Sequence, residues 1–275
     1  MLHKFYEGAL LSAPYYNAVV EKLQPSSMAD TRDIQTWLDY ASYVDADGII
    51  IFSDDESNVI KQPVNAYGSI IPVITLGNNN PDNNQVCFIG TNKYELGKAF
   101  AGEISLFEEN AGKKIRNILA LVNTDKNITA TDRILASMQE ELQKRIPNNS
   151  ILIHTEQISS RSSSKIDSAI RSTVKNAVTS YKPELILCFS ADDTVITAQT
   201  LIDLNLTADT EIIGLYENEK TQLYIDIGII YSVVSVDAKL IGMQAMKNLF
   251  SWKADGYTNS YSTSDIVIIK KEEKL

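Results

Sequence analysis

Between Asp47 and Gly97 the chain carries three short apolar runs, Ile49–Phe52, Val73–Leu76 and Val86–Ile89, each closed by small, polar or acidic residues. A helix-length segment separates the first two. Runs of this length, rich in Ile and Val and punctuated by turn residues, read as buried strands joined by crossovers, the βαβ pattern of a parallel sheet. Such crossovers are right-handed, so the carboxyl ends of the strands gather along one edge, where ligands settle. Ser53-Asp54-Asp55 and Gly77-Asn78-Asn79-Asn80 are therefore expected together at one rim.

The same grammar runs on to the end of the chain. Phe5 to about Ala13 reads as a short helix stopped before Pro14, and Asn17–Leu23 as a strand. Over 31–44 the residues Ile34, Trp37, Leu38, Ala41 and Val44 recur at helical spacing, which makes Trp37 a core residue rather than a sugar platform. Asn92 opens a helix with Leu96, Ala99, Phe100 and Ile104 on one face and Gly112 as its stop. A second series begins at Ile115, with strands at Ile115–Val122, Ile151–Thr155, Leu185–Phe189, Glu211–Gly214, Ile230–Val236 and Ile266–Ile269. Helices fall over about 130–145, through Ile166, Ile170, Val174 and Val178, and over 239–250.

At 275 residues the chain exceeds one average domain and suits two. Its 44% hydrophobic content supplies two cores, yet no apolar run approaches the roughly 20 residues of a membrane helix. A net charge of -10 opposes a phosphate backbone, and no helix-turn-helix pattern precedes the lobes, so direct nucleic-acid binding is not expected. Cys87 and Cys188 sit in separate apolar runs and read as buried, reduced thiols.

Catalytic patterns are absent. His3 lies near the start and His154 within a strand, and no GxSxG elbow accompanies either. Zinc spacings, a GxGxxG or Walker loop and a calcium loop are missing as well, so neither an enzyme nor a cofactor or metal site is expected.

Taken in order, DGIII, IPVIT, IGTNKYELGKA, TDRILASM, EIIGLYENE and GIIYSVVSVDAKLIGMQAM resemble the sugar-binding branch of the type I periplasmic-binding-protein-like superfamily. That superfamily includes ABC-transporter solute receptors and the effector domains of LacI-type regulators. No single piece is specific; their order and spacing along nearly the whole chain carry the likeness. The resemblance implies an α/β fold of two doubly wound parallel-sheet lobes, 1–111 plus 237–262 and 112–236 plus 263–275. Three crossing segments would join them, near Asn110–Lys113, Val234–Asp237 and Tyr261–Asp265, and permit hinged closure on a small polar solute.

The resemblance further implies an extracytoplasmic protein, periplasmic or lipid-anchored at the cell surface, that serves an ABC permease or a membrane sensor kinase. In this fold a strand normally leads into the helix near Phe5, and it is central in the 2-1-3-4-5 order. Its absence from Met1-Leu2-His3-Lys4 implies a precursor whose signal or anchor, and with it this strand, was removed; alternatively, another segment fills the gap. The rival identity is the effector core of a LacI-type regulator without its DNA-binding head.

For the ligand site, the resemblance points to Phe5, Tyr6, Asp54 and Asn78 in the first lobe and to Asn123 or Asp125, Arg133, Asp192, Tyr216 and Glu217 in the second. Carboxylates, planar amides, an arginine and aromatic rings are the groups that a sugar's hydroxyls and faces require. Each has a plainer alternative: packing for Phe5 and Tyr6, helix capping for Asp54 and Asp192, a turn for Asn78–Asn80, a brace for Arg133. Three positions depart from the family pattern. Gly77 and Tyr216 stand where aspartates are usual, and Val236 followed by Asp237 replaces a hinge amide. Each missing partner would cost a sugar hydroxyl about 1–3 kcal/mol. The departures point away from an ordinary ribose or galactose pocket, toward a modified sugar, a polyol derivative or a less hydroxylated solute stacked on Tyr6 and Tyr216.

Overall fold

A computed structural model of the chain describes residues 2–23, 33–53, 59–77, 79–80, 82–112, 114–124, 128–146, 150–159 and 166–271. In chain order the elements open with α1 (Leu2–Ser12), a 3-10 turn (Ala13–Tyr16), α2 (Asp33–Tyr43), β1 (Ile49–Ser53), β2 (Val73–Gly77) and β3 (Cys87–Gly90). Then come α3 (Lys93–Ala111), β4 (Asn117–Asn123), α4 (Ile128–Arg145), β5 (Leu152–Ile158), α5 (Ile166–Tyr181) and β6 (Leu185–Cys188). The last are α6 (Ala191–Asp203), β7 (Glu211–Leu215), α7 (Glu219–Asp226), β8 (Ser232–Val236), α8 (Ala238–Asp255), β9 (Tyr261–Thr263) and β10 (Ile266–Lys270). They divide into two units, Met1–Thr91 with Asp237–Asp265 and Asn92–Val236 with Ile266–Leu275.

The second unit is a six-stranded sheet in the order β10-β8-β7-β6-β4-β5, parallel except for β10. Successive side chains leave a strand on opposite faces. Ile118, Ala120, Leu185, Leu187, Ile213, Leu215 and Val234 accordingly pack with Leu96 and Phe100 of α3 and Ile134 and Met138 of α4. Their neighbours Leu119, Leu121, Ile186, Cys188, Ile212 and Val233 pack with Ile170 and Val174 of α5, Leu201 of α6 and Ile225 of α7. Five strands therefore follow the doubly wound order 2-1-3-4-5, with β10 added antiparallel.

Helix α3 belongs to this unit, whereas the sequence reading placed it in the first lobe. Asn92 caps it through Oδ1, which accepts from the Tyr94 and Glu95 N–H groups, and Gly112 ends it at φ 60. Its close approach to α4 runs through Gly97, where a Cβ would lie 2.5 Å from the Ile134 carbonyl oxygen. At its other end the buried Glu103 pairs with Lys270 of β10 at 2.9 Å, and Phe107 packs edge-on against Tyr231. These contacts move the first chain crossing to Thr91–Asn92, ahead of the helix rather than after it.

The first unit holds the parallel sheet β1-β2-β3-β9. Ser264 fastens the end of β9 to β3, donating its N–H to the Gly90 carbonyl at 3.0 Å while its hydroxyl lies 3.0 Å from Thr91 Oγ1. Helices α1 and α8 cross without intervening side chains: a Cβ on Gly8 would collide with the Lys239 carbonyl, and one on Gly242 with that of Phe5.

Two expectations change here. No helix lies in the described residues 59–72 between β1 and β2. Pro63 and Gly68 flank a turn in which Asn65 Oδ1 accepts from the N–H groups of Tyr67 and Ser69, a local bonding that competes with helix. Asn17–Leu23 is not a paired strand, although Ala18 and Val20 turn inward while Val19 is 99% exposed.

The two glycines of α3 should respond oppositely to alanine. Gly97→Ala is expected to lower unfolding stability by about 1–3 kcal/mol through overpacking. Gly102→Ala, whose nearest neighbour would be Arg145 at 3.9 Å, is expected to raise it by about 0.5–1 kcal/mol through helix propensity. Urea denaturation of both variants checks the contrast.

Candidate functional site

In the second unit the carboxyl ends of the parallel strands carry Asn123 after β4, Ser190 after β6 and Tyr216 after β7. Ser190 caps α6: its Oγ accepts from the Asp193 N–H at 3.2 Å and donates to Asp193 Oδ2 at 2.6 Å. Asn123 Nδ2 donates to the same carboxylate at 3.2 and 3.4 Å. With Asp193 only 2% exposed, its carboxylate needs these donors, and the three side chains brace one another beneath the rim.

The sequence reading chose the neighbouring Asp192. That residue is exposed in the first turn of α6, and the capping position it was weighed for belongs to Ser190. Ser190-x-x-Asp193 has the spacing of a capping box, so the signal for the buried pair was present in the sequence.

Tyr216 adopts φ 63, a left-handed conformation that costs a residue with a Cβ roughly 1–3 kcal/mol. Pairing holds it there, its N–H donating to the Val234 carbonyl at 2.8 Å, and its half-buried ring packs on the α3/α4 face of the sheet. Glu217, also half-buried, follows, and then Asn218 and Thr221 cap α7 reciprocally. Arg133 is exposed on α4. Asp125 lies outside the described residues.

In the first unit, β2 ends at Gly77 with φ 95. Tyr6 is half-buried, with Lys22 Nζ 5.6 Å from its ring centre, a cation–π distance. Phe5 is 8% exposed and packs on Phe52, ring centres 5.6 Å apart, so its side chain serves the core. Asp54 and Asn78 lie outside the described residues. The asparagines that follow are engaged in the turn: Asn79 Oδ1 accepts from Gln85 at 2.7 Å, Asn80 Oδ1 from the Asp82 N–H at 2.8 Å, and Asn83 Oδ1 from the Ile60 N–H at 2.7 Å.

The reactive side chains have structural surroundings. Burial pushes the Cys188 thiol up to about 12, and burial raises that of Cys87 as well. His154 stacks on Tyr181 at 4.1 Å and bonds to Asn117 at 3.1 Å. Among the described residues no group of His, Cys, Asp or Glu is placed to hold a metal ion, and no helix is long and apolar enough to cross a membrane. Tyr216 and Glu217 follow β7 and Asp192 opens α6 after β6, and with Tyr6 on α1 and Arg133 on α4 they offer phenol rings, carboxylates and an arginine, groups that hydrogen-bond hydroxyls and stack on apolar faces.

The Cys188 thiol is neutral in the folded chain up to about pH 12, against 9.0 for an ordinary thiol. Only the unfolded chain releases this proton between those values, so the thiol's contribution to stability is complete below pH 9 and is lost as pH rises. The expected slope is about 1.4 kcal/mol per pH unit, and Cys188→Ala should remove it from a comparison of denaturation curves at pH 8.5 to 10.5.

The chain matches a family model described as periplasmic binding protein domain over residues 15–253. A comparison with curated proteins finds no match. Among solved structures, an arabinose binding protein from Geobacillus stearothermophilus, AraP, superposes with a TM-score of 0.82 at 16% identity, covering 98% of this chain and 91% of that one. A XylFII-LytSN complex gives 0.69 at 20% identity, with 98% and 93% covered. A putative LacI transcriptional regulator from Bacteroides fragilis gives 0.69 at 13% identity, with 98% and 91% covered.

Proposed function

This chain belongs to the periplasmic binding protein domain family, and from that premise we propose that it captures a small sugar-like solute with residues drawn from the carboxyl-end rims of its two sheets. It is a binding protein rather than an enzyme. The observation that carries the reading is Tyr216. A non-glycine residue held in a left-handed conformation at a strand end, in the sheet whose other strand ends carry the braced Asn123, Ser190 and Asp193, is strain kept where ligands of such sheets bind. Tyr6 and Tyr216 supply stacking surfaces, Arg133, Asp192 and Glu217 supply hydrogen bonds, and Asp54, Asn78 and Asp125 complete the proposed set. The similarity to AraP supports a sugar or sugar derivative as the ligand class.

Binding only the native state, the solute would raise the melting temperature. We propose an extracytoplasmic location, with the loaded form passed either to an ABC permease or to a membrane sensor kinase; the likeness to XylFII, solved in complex with LytSN, supports recognition by a protein partner. The likeness to a LacI regulator favours one alternative, the effector core of a transcription regulator. The full-length polypeptide separates them, a signal or lipid anchor marking a receptor and a helix-turn-helix a regulator.

A thermal-shift screen over pentoses, hexoses, polyols and nucleosides is expected to give a selective shift for a sugar or sugar derivative. In titration calorimetry with that compound, Arg133→Ala, Asp192→Ala and Tyr216→Ala should each weaken binding by about 1–3 kcal/mol with circular dichroism unchanged. Unaltered affinity in all three would overturn the site.

A further inference from the structure

Strand β5 ends the sheet of the second unit, and among the described residues β4 is the only strand that pairs with it. Leu152 donates its N–H to the Arg116 carbonyl at 2.8 Å, and the Ile158 carbonyl accepts from the Thr124 N–H at 2.8 Å. Both ends of β5 therefore turn their backbone groups toward β4. Since these groups alternate along a strand, those of His154 and Glu156 serve the same ladder, and the N–H and C=O groups of Ile153, Thr155 and Gln157 point to the open edge.

Open edges are ordinarily blunted by lysine, proline or a bulge. Strand β5 carries none of these, and its register with β4 is unbroken from Leu152 to Ile158. Its one acid, Glu156, accepts from the Tyr181 hydroxyl at 2.8 Å, and His154 stacks on the same ring. The two side chains thus share the α5 face of the sheet, one on each side of Thr155. Leu152 lies on that face as well and is 60% exposed, whereas Ile158 at the other end is 3% exposed. On the opposite face an open hollow beside the edge is lined by Ile153 and by Gln139 and Gln143 of α4.

We propose that β5 pairs antiparallel with β5 of a second copy of this chain, about a two-fold axis beside Thr155. In that register Thr155 faces Thr155 and Ile153 faces the partner's Gln157, so the residues whose backbone groups point outward meet one another and exchange both hydrogen bonds. Between them His154 falls opposite the partner's Glu156, at the closer spacing of a non-hydrogen-bonded pair. An imidazole can take up a proton to meet a carboxylate. The exposed Leu152 falls opposite the partner's Ile158, and Gln157 opposite the partner's Ile153, beside the hollow with its two glutamines. Moving the axis one residue toward His154 or Glu156 shortens the pairing and sets imidazole against imidazole or carboxylate against carboxylate, and like charges directly opposite destabilise. One strand holds both halves of every pair, so a second copy is the occupant that fits, and the two-fold contact closes at two copies.

Sedimentation of the full chain over a concentration series from micromolar to millimolar tests the assignment. A reversible monomer–dimer equilibrium is expected, with hydrogen exchange at the Thr155 amide slowed by about tenfold or more between the two ends of the series. Thr155→Pro removes the central donor at a position whose N–H does not serve β4, and it should leave a monomer with unchanged circular dichroism. His154→Glu and Glu156→His should each weaken self-association by about tenfold, and their equimolar mixture should recover it, because both crossings of the mixed pair again join imidazole to carboxylate. The mixture decides the matter even where the proline variant loses its fold. A chain that stays monomeric throughout, a dimer that a folded Thr155→Pro leaves intact, or a mixture that associates no better than its components would each overturn the pairing.

Discussion

A parallel strand is buried on both of its faces, and this demand organises each unit. In β4, β6 and β7 adjacent residues serve opposite cores, Ile118 and Ala120 on the α3/α4 side and Leu119 and Leu121 on the α5/α6 side. No position within such a strand is free for polar chemistry, so recognition groups are displaced to the strand ends. The helices must also lie close enough to seal the sheet. Gly97 lets α3 settle onto α4, and Gly8 and Gly242 do the same for α1 and α8.

The polar groups at the strand ends divide into those that hold the rim and those that face outward. Ser190, Asp193 and Asn123 satisfy one another, and a carboxylate so enclosed gains more from fixed donors than it would from an exchanging ligand. Arg133 and Asp192 lie exposed, and Tyr216 and Glu217 half-exposed, where contact with a solute costs little desolvation.

Strand positions were legible from the sequence because a buried parallel strand is a short, unbroken apolar run, and the ends of α3 because Asn92 is a local start signal and Gly112 a local stop. The membership of α3 was not legible, since an apolar stripe records that a helix is covered and not by what. The segment between β1 and β2 has the length of a helix but is closed by Pro63, Gly68 and the side chain of Asn65. Asp192 and Asp193 differ only in which way the first turn of α6 points them. Ser190 decided that, through a hydrogen bond whose spacing the sequence contained. Asn17–Leu23 reads as a strand by composition, yet pairing is a property of two segments and is not written in one.

The departures from the family pattern are changes of backbone as well as of side chain. At position 77, where the resemblance leads one to expect an aspartate, φ is 95, a conformation that glycine adopts freely and residues with a Cβ rarely do. Replacing Gly77 with aspartate would therefore strain the end of β2 instead of restoring a hydrogen-bonding group. At position 216 the left-handed conformation is kept by a tyrosine, which stores strain and presents a ring where a carboxylate is usual. One rim has thus exchanged an acceptor for backbone freedom, and the other has exchanged one for an aromatic surface.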